Sequence, residues 1–122
     1  MRVWIVNYYT GPNCPNPRYL EFAKHFKAKG WDVLTFYGNY KGPNTDPLFI
    51  RRQEGGFDYV HVKAPHYAGN GLKRMYSIWK FAQTIKKHAG EFEKPDVILH
   101  NVHAPFDYPV VKAAKKLGAK YI

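Results

Sequence analysis

The sequence predicts an α/β fold: a Rossmann-like parallel sheet in three layers, strand order 3-2-1-4-5, with its last strand cut short. Three observations lead there. Compact apolar runs of strand length alternate with amphipathic helical patterns along the chain. Strand runs open into loops rich in Gly, Pro and Asn, and a glycine follows each helical pattern. Alternation of this kind builds right-handed crossovers around a parallel sheet.

Residues 2–7 (Arg-Val-Trp-Ile-Val-Asn) form an apolar run suited to a buried central strand. Tyr8 to Pro17, with Gly11, Pro12 and Pro15, is a loop at its carboxyl end. Asn16-Pro17 reads as a helix cap with proline at the first helical position, and the helix runs from Arg18 to Lys29 before Gly30. Its apolar face is Tyr19, Phe22, Ala23 and Phe26 beside Leu20, with Lys24 and Lys27 outward. The second strand is Trp31 to Phe36. Tyr37 to Gly56 is then a long polar, glycine-rich stretch, read as a functional loop or as one hiding a short turn around Pro47 to Arg52. Phe57 to Lys63 alternates with period two, as a third strand nearer a sheet edge does, and Ala64 to Gly71 is another loop.

Leu72 to Ala89 carries the strongest helical pattern, with Met75, Ile78, Trp79, Ala82 and Ile85 on one side and Lys73, Lys80 and Lys87 on another; Gly90 ends it. After Pro95-Asp96, Val97 to Leu99 is a short buried strand whose exit loop is His100 to Asp107. Val110, Val111, Ala114 and Leu117 mark a last helix, with Lys112, Lys115 and Lys116 outward and Gly118 closing it. Lys120-Tyr121-Ile122 begins a fifth strand, and the lack of a following helix predicts a truncated domain. The ligand site belongs outside the carboxyl ends of strands one and four, where the sheet reverses direction and the loops 8–17, 64–71 and 100–107 converge.

With 122 residues, 45% of them apolar, the chain is one domain of ordinary size with a continuous core. No apolar run approaches the roughly 18 residues of a bilayer-spanning helix. The N-terminus lacks a long apolar region and an Ala-x-Ala site, so it reads as a strand and the expected location is cytoplasmic. Cys14 is the only cysteine and excludes an internal disulfide; among asparagine and proline it reads as a loop residue. The 19 Lys and Arg against 9 Asp and Glu give a net charge of +10, which predicts an anionic partner, an anionic surface or a compensating domain. The lysines spread over three helices without a helix-turn-helix, zinc or ribonucleoprotein signal, so specific nucleic-acid recognition is not indicated. They fit either solvated helix faces or a surface resting at the periphery of an anionic membrane.

The loop from Tyr8 through Gly11 and Pro12 to Arg18 joins a strand to a helix N-terminus, where free amides and Arg18 favour a phosphate or a sugar carboxylate; a plain connection is the alternative. It is neither a Walker loop nor a dinucleotide fingerprint, because only Gly11 is present. His100 and His103 bracket the exit of the fourth strand; no cysteine completes a metal site, so no metal is assigned. His103 fits a hydrogen-bond partner for a sugar or a general base, and His100 fits the same or a plain strand end. His25 and His88 read as solvated, while His66 sits in a site loop. Asp96 marks the turn before strand four on the opposite edge, and Asp107 reads as the cap of the last helix. No carboxylate pair suits glycoside hydrolysis, and no Gly-x-Ser-x-Gly elbow is present.

Val3-Trp4-Ile5-Val6-Asn7-Tyr8-Tyr9-Thr10-Gly11-Pro12, then Pro17-Arg18-Tyr19, Glu21-Phe22-Ala23-Lys24 and Gly30-Trp31-Asp32-Val33, together with Val62 to Arg74 and Lys94-Pro95-Asp96-Val97-Ile98, resemble one large family. It is family four of the retaining glycosyltransferases, two-domain GT-B enzymes that include bacterial capsule and O-antigen aminosugar transferases. The resemblance covers essentially the whole chain and is to the N-terminal, acceptor-side domain. It implies a nucleotide sugar as donor substrate, no further cofactor, a lipid-linked or saccharide acceptor, and a donor-binding C-terminal domain missing from these residues. It implies that the Gly11-Pro12 loop approaches the donor phosphates, that Arg18, Tyr67, Asn70 and Asn101 shape the substrate side, and that His103 is the catalytic-site histidine contacting the donor sugar. Val102-His103-Ala104-Pro105 departs from the family's usual Ser-Pro-His-Pro, and Cys14-Pro15-Asn16 stands where many relatives have paired glycines. The alternative is a stand-alone Rossmann-like module binding a phosphate or nucleotide without catalysis.

Overall fold

The computed structural model describes residues 1–8, 18–39, 47–54, 56–64, 71–100 and 108–121. In chain order the elements are β1 (Arg2–Val6), α1 (Arg18–Ala28), β2 (Asp32–Asn39), β3 (Phe49–Glu54), β4 (Phe57–Lys63), α2 (Leu72–His88), a short 3-10 turn (Ala89–Glu91), β5 (Val97–His100), α3 (Tyr108–Leu117) and β6 (Lys120–Tyr121). They form one sheet of order β3-β4-β2-β1-β5-β6. The pairings β4-β2-β1-β5-β6 are all parallel, which is the expected 3-2-1-4-5 arrangement. The fold is therefore Rossmann-like and three-layered, with one correction. The stretch read as a loop from Tyr37 to Gly56 extends β2 to Asn39 and contains β3, an antiparallel edge strand. In the hairpin Glu54 pairs with Phe57 and Phe49 with Val62, so β4 lies one strand inside the edge.

β1 is central because its side chains are buried on both faces: Val3, Trp4, Ile5 and Val6 are at most 1% exposed. Its even-numbered side chains, Trp4 and Val6, join Leu34, Phe36, Val60, Val62 and Ile98 under α2 and α3; Val3 and Ile5 pack with Ala23 and Phe26 of α1 on the other face. Trp4 organises the larger half-core. Its ring lies 4.9 Å from Phe36 and 6.3 Å from Phe92, Phe92 lies 5.1 Å from Phe49, and its Nε1–H donates to the Glu93 carbonyl at 3.1 Å. Burying roughly 200 Å² of indole at about 25 cal/mol/Å² stabilises the fold by about 5 kcal/mol.

Local endings follow the sequence where glycine is required. Gly30 has φ +80°; its N–H reaches the Lys27 carbonyl and that of Trp31 reaches Phe26, while the Phe26 and Trp31 rings stack at 5.2 Å. This is a Schellman ending with its hydrophobic contact, and Gly118 repeats the bonding after α3. Gly90 does not act this way: α2 ends at His88 and passes into the 3-10 turn. At the amino ends of the strands Asp96 does mark the turn into β5. Its carboxylate accepts the Arg2 backbone N–H at 2.8 Å, while the Arg2 guanidinium donates to the Lys94 carbonyl and approaches Asp32 at 3.7 Å.

Two helical faces differ from expectation. On α2 the buried residues are Ser77, Phe81, Ala82, Thr84 and Ile85, whereas Met75 is 47% exposed. The sheet selects the stripe carrying the large Phe81 ring, and Ser77 and Thr84 are tolerated there because their hydroxyls bond to Tyr8 and to the Lys80 carbonyl. On α1 Ala23 is buried but Phe22 is 40% exposed, and Lys27 lies over the Phe57 ring at 5.0 Å instead of simply facing solvent. His88, expected to be solvated, is half-buried, hydrogen-bonded to the Glu91 carboxylate and edge-on to Phe49 at 5.3 Å.

One close approach fixes the exit of β1. A Cβ at Gly38 would stand 2.8 Å from two ring carbons of Tyr8 and 3.2 Å from its carbonyl oxygen. Gly38→Ala is expected to lower stability by about 1–3 kcal/mol in urea unfolding. The loss is expected to shrink when Tyr8→Ala removes the ring; an equal loss in both backgrounds would show that the contact is not its source.

Candidate functional site at the strand carboxyl ends

The strands deliver their carboxyl ends to one edge of the sheet. The chain leaves β1 and returns to β2 through α1 on one face, and leaves β4 and returns to β5 through α2 on the other. A crevice forms where crossovers diverge in this way, and here that point lies beyond β1. Among the described residues it receives Asn7 and Tyr8 after β1, Tyr37 and Gly38 in β2, His61, Lys63 and Ala64 at the end of β4, and His100 at the end of β5.

Tyr8 is held on three sides. Its hydroxyl and that of Ser77 share a hydrogen bond of 2.6 Å, its ring meets Phe81 edge-on at 5.4 Å, and its carbonyl accepts the Gly38 N–H at 3.0 Å. The start of the loop predicted to meet phosphate is thus anchored to β2 and α2. Asn7 is 6% exposed and its backbone N–H bonds to the Phe36 carbonyl, which extends the β1–β2 ladder to the edge. His100 Nδ1 lies 3.0 Å from the Tyr121 hydroxyl, with the rings edge-on, so β6 orients this imidazole. His100 is thus a hydrogen-bonded residue at the end of β5.

On the α1 side of the same edge, Tyr37 lies between Tyr59, 5.8 Å away and edge-on, and His61, with ring centroids 4.1 Å apart. Partial burial holds the His61 imidazole below the ordinary value of 6.5, and its buried Nε2 has no hydrogen-bond partner among the described residues. Lys63 brings a cation to the edge from the last position of β4. Asn7, Tyr8 and Tyr37 are buried and shape this edge from within, while His61 and Lys63 are partly exposed at it. The described strand ends here carry no Asp or Glu. Carboxylates lie instead at the opposite edge: Asp32, Asp58 and Glu93 with Arg2 and Arg51 line a groove of about 220 Å³. There Glu93 is held below its ordinary value by a backbone hydrogen bond and by Arg51, whose guanidinium lies 3.3 Å away. Those charges are engaged in joining strand ends.

Gly11, Pro12, Tyr67, Asn70, Asn101 and His103 lie outside the described residues, as do Cys14, His66 and Asp107. Arg18 is the first residue of α1; its side chain is also outside the description. Sequence reasoning named Tyr8 only as the start of the loop, and missed Gly38 and His61 as residues that shape this edge. Ser77 was the available signal for Tyr8, being a hydroxyl among apolar positions on the strongest helix. Among the described residues no cluster of three His, Cys, Asp or Glu could hold a metal ion.

No protein-family model matches the sequence, and no curated protein does. Solved structures do match in fold. The Escherichia coli trehalose-6-phosphate structure bound with UDP-2-fluoro glucose superposes with a TM-score of 0.66 at 11% identity, over 99% of this chain and 32% of that one. The α,α-trehalose 6-phosphate synthase of Burkholderia multivorans gives 0.59 at 14% identity, over 98% and 31%. The C-terminal domain of a Pyrococcus furiosus hydrogenase gives 0.66 at 17% identity, over 99% and 88%. The chain spans about a third of the trehalose-phosphate proteins it matches. At these identities the likeness is one of fold alone, a fold shared by part of the trehalose-phosphate proteins and by a hydrogenase domain.

The His61 environment has a consequence for stability. Above about pH 6.5 the ring is neutral in both folded and unfolded chains; below it the unfolded chain takes up a proton that the folded one resists. Stability is therefore expected to fall as the pH drops from about 6.5 towards the lowered folded-state pKa and to level off below it. Urea midpoints between pH 7.5 and 5 measure this, and His61→Gln is expected to flatten that segment; an unchanged slope in the variant would remove His61 as its cause.

Proposed function

We propose that this chain is the acceptor-side lobe of a retaining glycosyltransferase that moves a sugar from a nucleotide diphosphate to a lipid-linked or saccharide acceptor, at the cytoplasmic face of the cell envelope. The observation that carries this reading is the likeness in fold, over 99% of the chain, to about a third of a protein bound with UDP-2-fluoro glucose. The sequence resemblance to family four, over Val3 to Pro12, Pro17 to Tyr19 and Val62 to Arg74, also supports it.

In this reading the nucleotide is gripped mainly by a second lobe outside these residues. The strand-end edge then presents the acceptor and the near side of the donor. The loop carrying Gly11 and Pro12 faces the diphosphate, Arg18, Tyr67, Asn70 and Asn101 shape the substrate side, and His103 contacts the transferred sugar. The bond between the anomeric carbon and the diphosphate oxygen breaks as the acceptor hydroxyl bonds to that carbon on the same face, and the hydroxyl proton passes to the departing diphosphate oxygen. No metal or further cofactor enters this account; the nucleotide sugar is a substrate.

A second reading is favoured by the hydrogenase domain, which this chain matches over 88% of that domain's length. There the chain is a binding module for a phosphate or nucleotide and performs no transfer. Calorimetry with UDP and UDP-glucose distinguishes the two. A lobe that lacks most donor contacts is expected to bind either with a Kd above about 1 mM, whereas a self-sufficient nucleotide module reaches about 1 μM. Micromolar binding of UDP alone by the 122-residue chain would overturn the transferase-lobe reading.

A further inference from the structure

We infer that the outward face of α2, with the adjoining lysines of α3, docks on an anionic lipid bilayer. The inference rests on this face and is independent of the chemistry assigned to the strand ends. Of the α2 stripe that sequence periodicity assigns to the core, Ala82 and Ile85 are buried and Ile78 packs against the core, whereas Met75 is 47% exposed, beside Leu72 at 83% and Tyr76 at 55%. At about 100° per residue, Leu72, Met75, Tyr76 and Trp79 fall on one arc opposite Phe81 and Ile85, with Lys73, Lys80 and Lys87 along its flank. Trp79 lines a groove of about 930 Å³ between α2 and α3, into which Lys112 and Lys116 also open.

Charge on this face is segregated. The sequences of α2 and α3 contain lysines and one arginine but neither Asp nor Glu. The described carboxylates gather mainly at the amino edge of the sheet, where they meet Arg2 and Arg51. An anionic partner is therefore selected, and the exposed apolar residues narrow it further. A nucleic acid or acidic polysaccharide would satisfy the lysines while leaving Leu72 and Met75 in water. A bilayer accommodates both, because an amphipathic helix lying in the interface plane sinks its apolar side chains to the acyl boundary and holds its lysines at the phosphates. Among the described residues no helix is long and apolar enough to cross a membrane, so the contact is peripheral. In that pose the amino terminus of α2, at Gly71 and Leu72, sets the strand-end edge close to the lipid surface.

Flotation of the 122-residue chain with vesicles of equal phosphatidylglycerol and phosphatidylcholine, against pure phosphatidylcholine, tests the inference. Binding to the anionic vesicles alone is expected, weakening with salt. Each lysine near the headgroups contributes roughly fivefold in partitioning, so Lys80→Glu with Lys87→Glu is expected to weaken it at least about 25-fold. Leu72→Gln with Met75→Gln, changes at exposed positions whose folding circular dichroism verifies, is expected to weaken binding several-fold. Bromine on the acyl chains is expected to quench fluorescence that Trp79→Phe removes. Binding that ignores both pairs overturns the inference. So does loss with the lysine pair alone combined with full competition by heparin, which would identify an acidic polymer as the partner.

Discussion

An indole must lose water entirely to sit in the centre of a sheet, and its N–H must then find a protein acceptor. Trp4 meets both conditions in the middle of β1, at 0% exposure and with the Glu93 carbonyl as acceptor. That carbonyl belongs to the segment linking α2 to β5, and Phe92 beside it packs on Phe36 and Phe49. One side chain thus ties the central strand to the return of the α2 crossover, and through Phe92 to β2 and the β3 edge. An unpaired buried N–H would cost roughly 1–3 kcal/mol, so the 92–93 segment is positioned by the same requirement that places β1.

From that anchor the order of the sheet determines where the candidate site lies. β1 lies between β2 and β5, and the connections beyond their carboxyl ends diverge to opposite faces. Tyr8 extends the rigid part of β1 by wedging against Gly38 and bonding to Ser77, so the following loop starts from a fixed point. His100 is held in the same way by Tyr121. Rigid strand ends that hand over to loops are a sound basis for ligand binding, because the ordering of at least these groups is complete before a ligand arrives.

Much of this was legible in the sequence. Short apolar runs, and period-two alternation at Phe57 to Lys63, marked the parallel strands, and Gly30 and Gly118 marked helix ends that the structure closes with paired backbone bonds. The edge strand β3 was not recognised, since Phe49-Ile50-Arg51-Arg52-Gln53-Glu54 has polar side chains and needs little core; the Gly55-Gly56 pair before Phe57 was the hairpin signal. The α2 face was assigned correctly at Ala82, Ile85 and Ile78 but not at Met75, which fits the 3.6-residue period as well as Phe81 does; tertiary packing chose Phe81. Tyr8 meeting Ser77 and His61 meeting Tyr37 join residues distant in sequence, which periodicity does not encode. Of the site, its edge was readable from topology; the roles of Gly11, Pro12, Arg18, Tyr67, Asn70, Asn101 and His103 rest on resemblance.

The central claim is that ligands of this chain meet it at the carboxyl edge of the sheet. Amide chemical-shift mapping of the isotopically labelled chain, titrated with UDP-glucose to millimolar concentration, tests it directly, since weak binding still moves resonances in fast exchange. The account predicts that the shifts gather at Asn7, Tyr8, Gly38, Ala64 and His100. Shifts confined to the groove between α2 and α3, or to Asp32, Asp58 and Asp96 at the opposite edge, would contradict it.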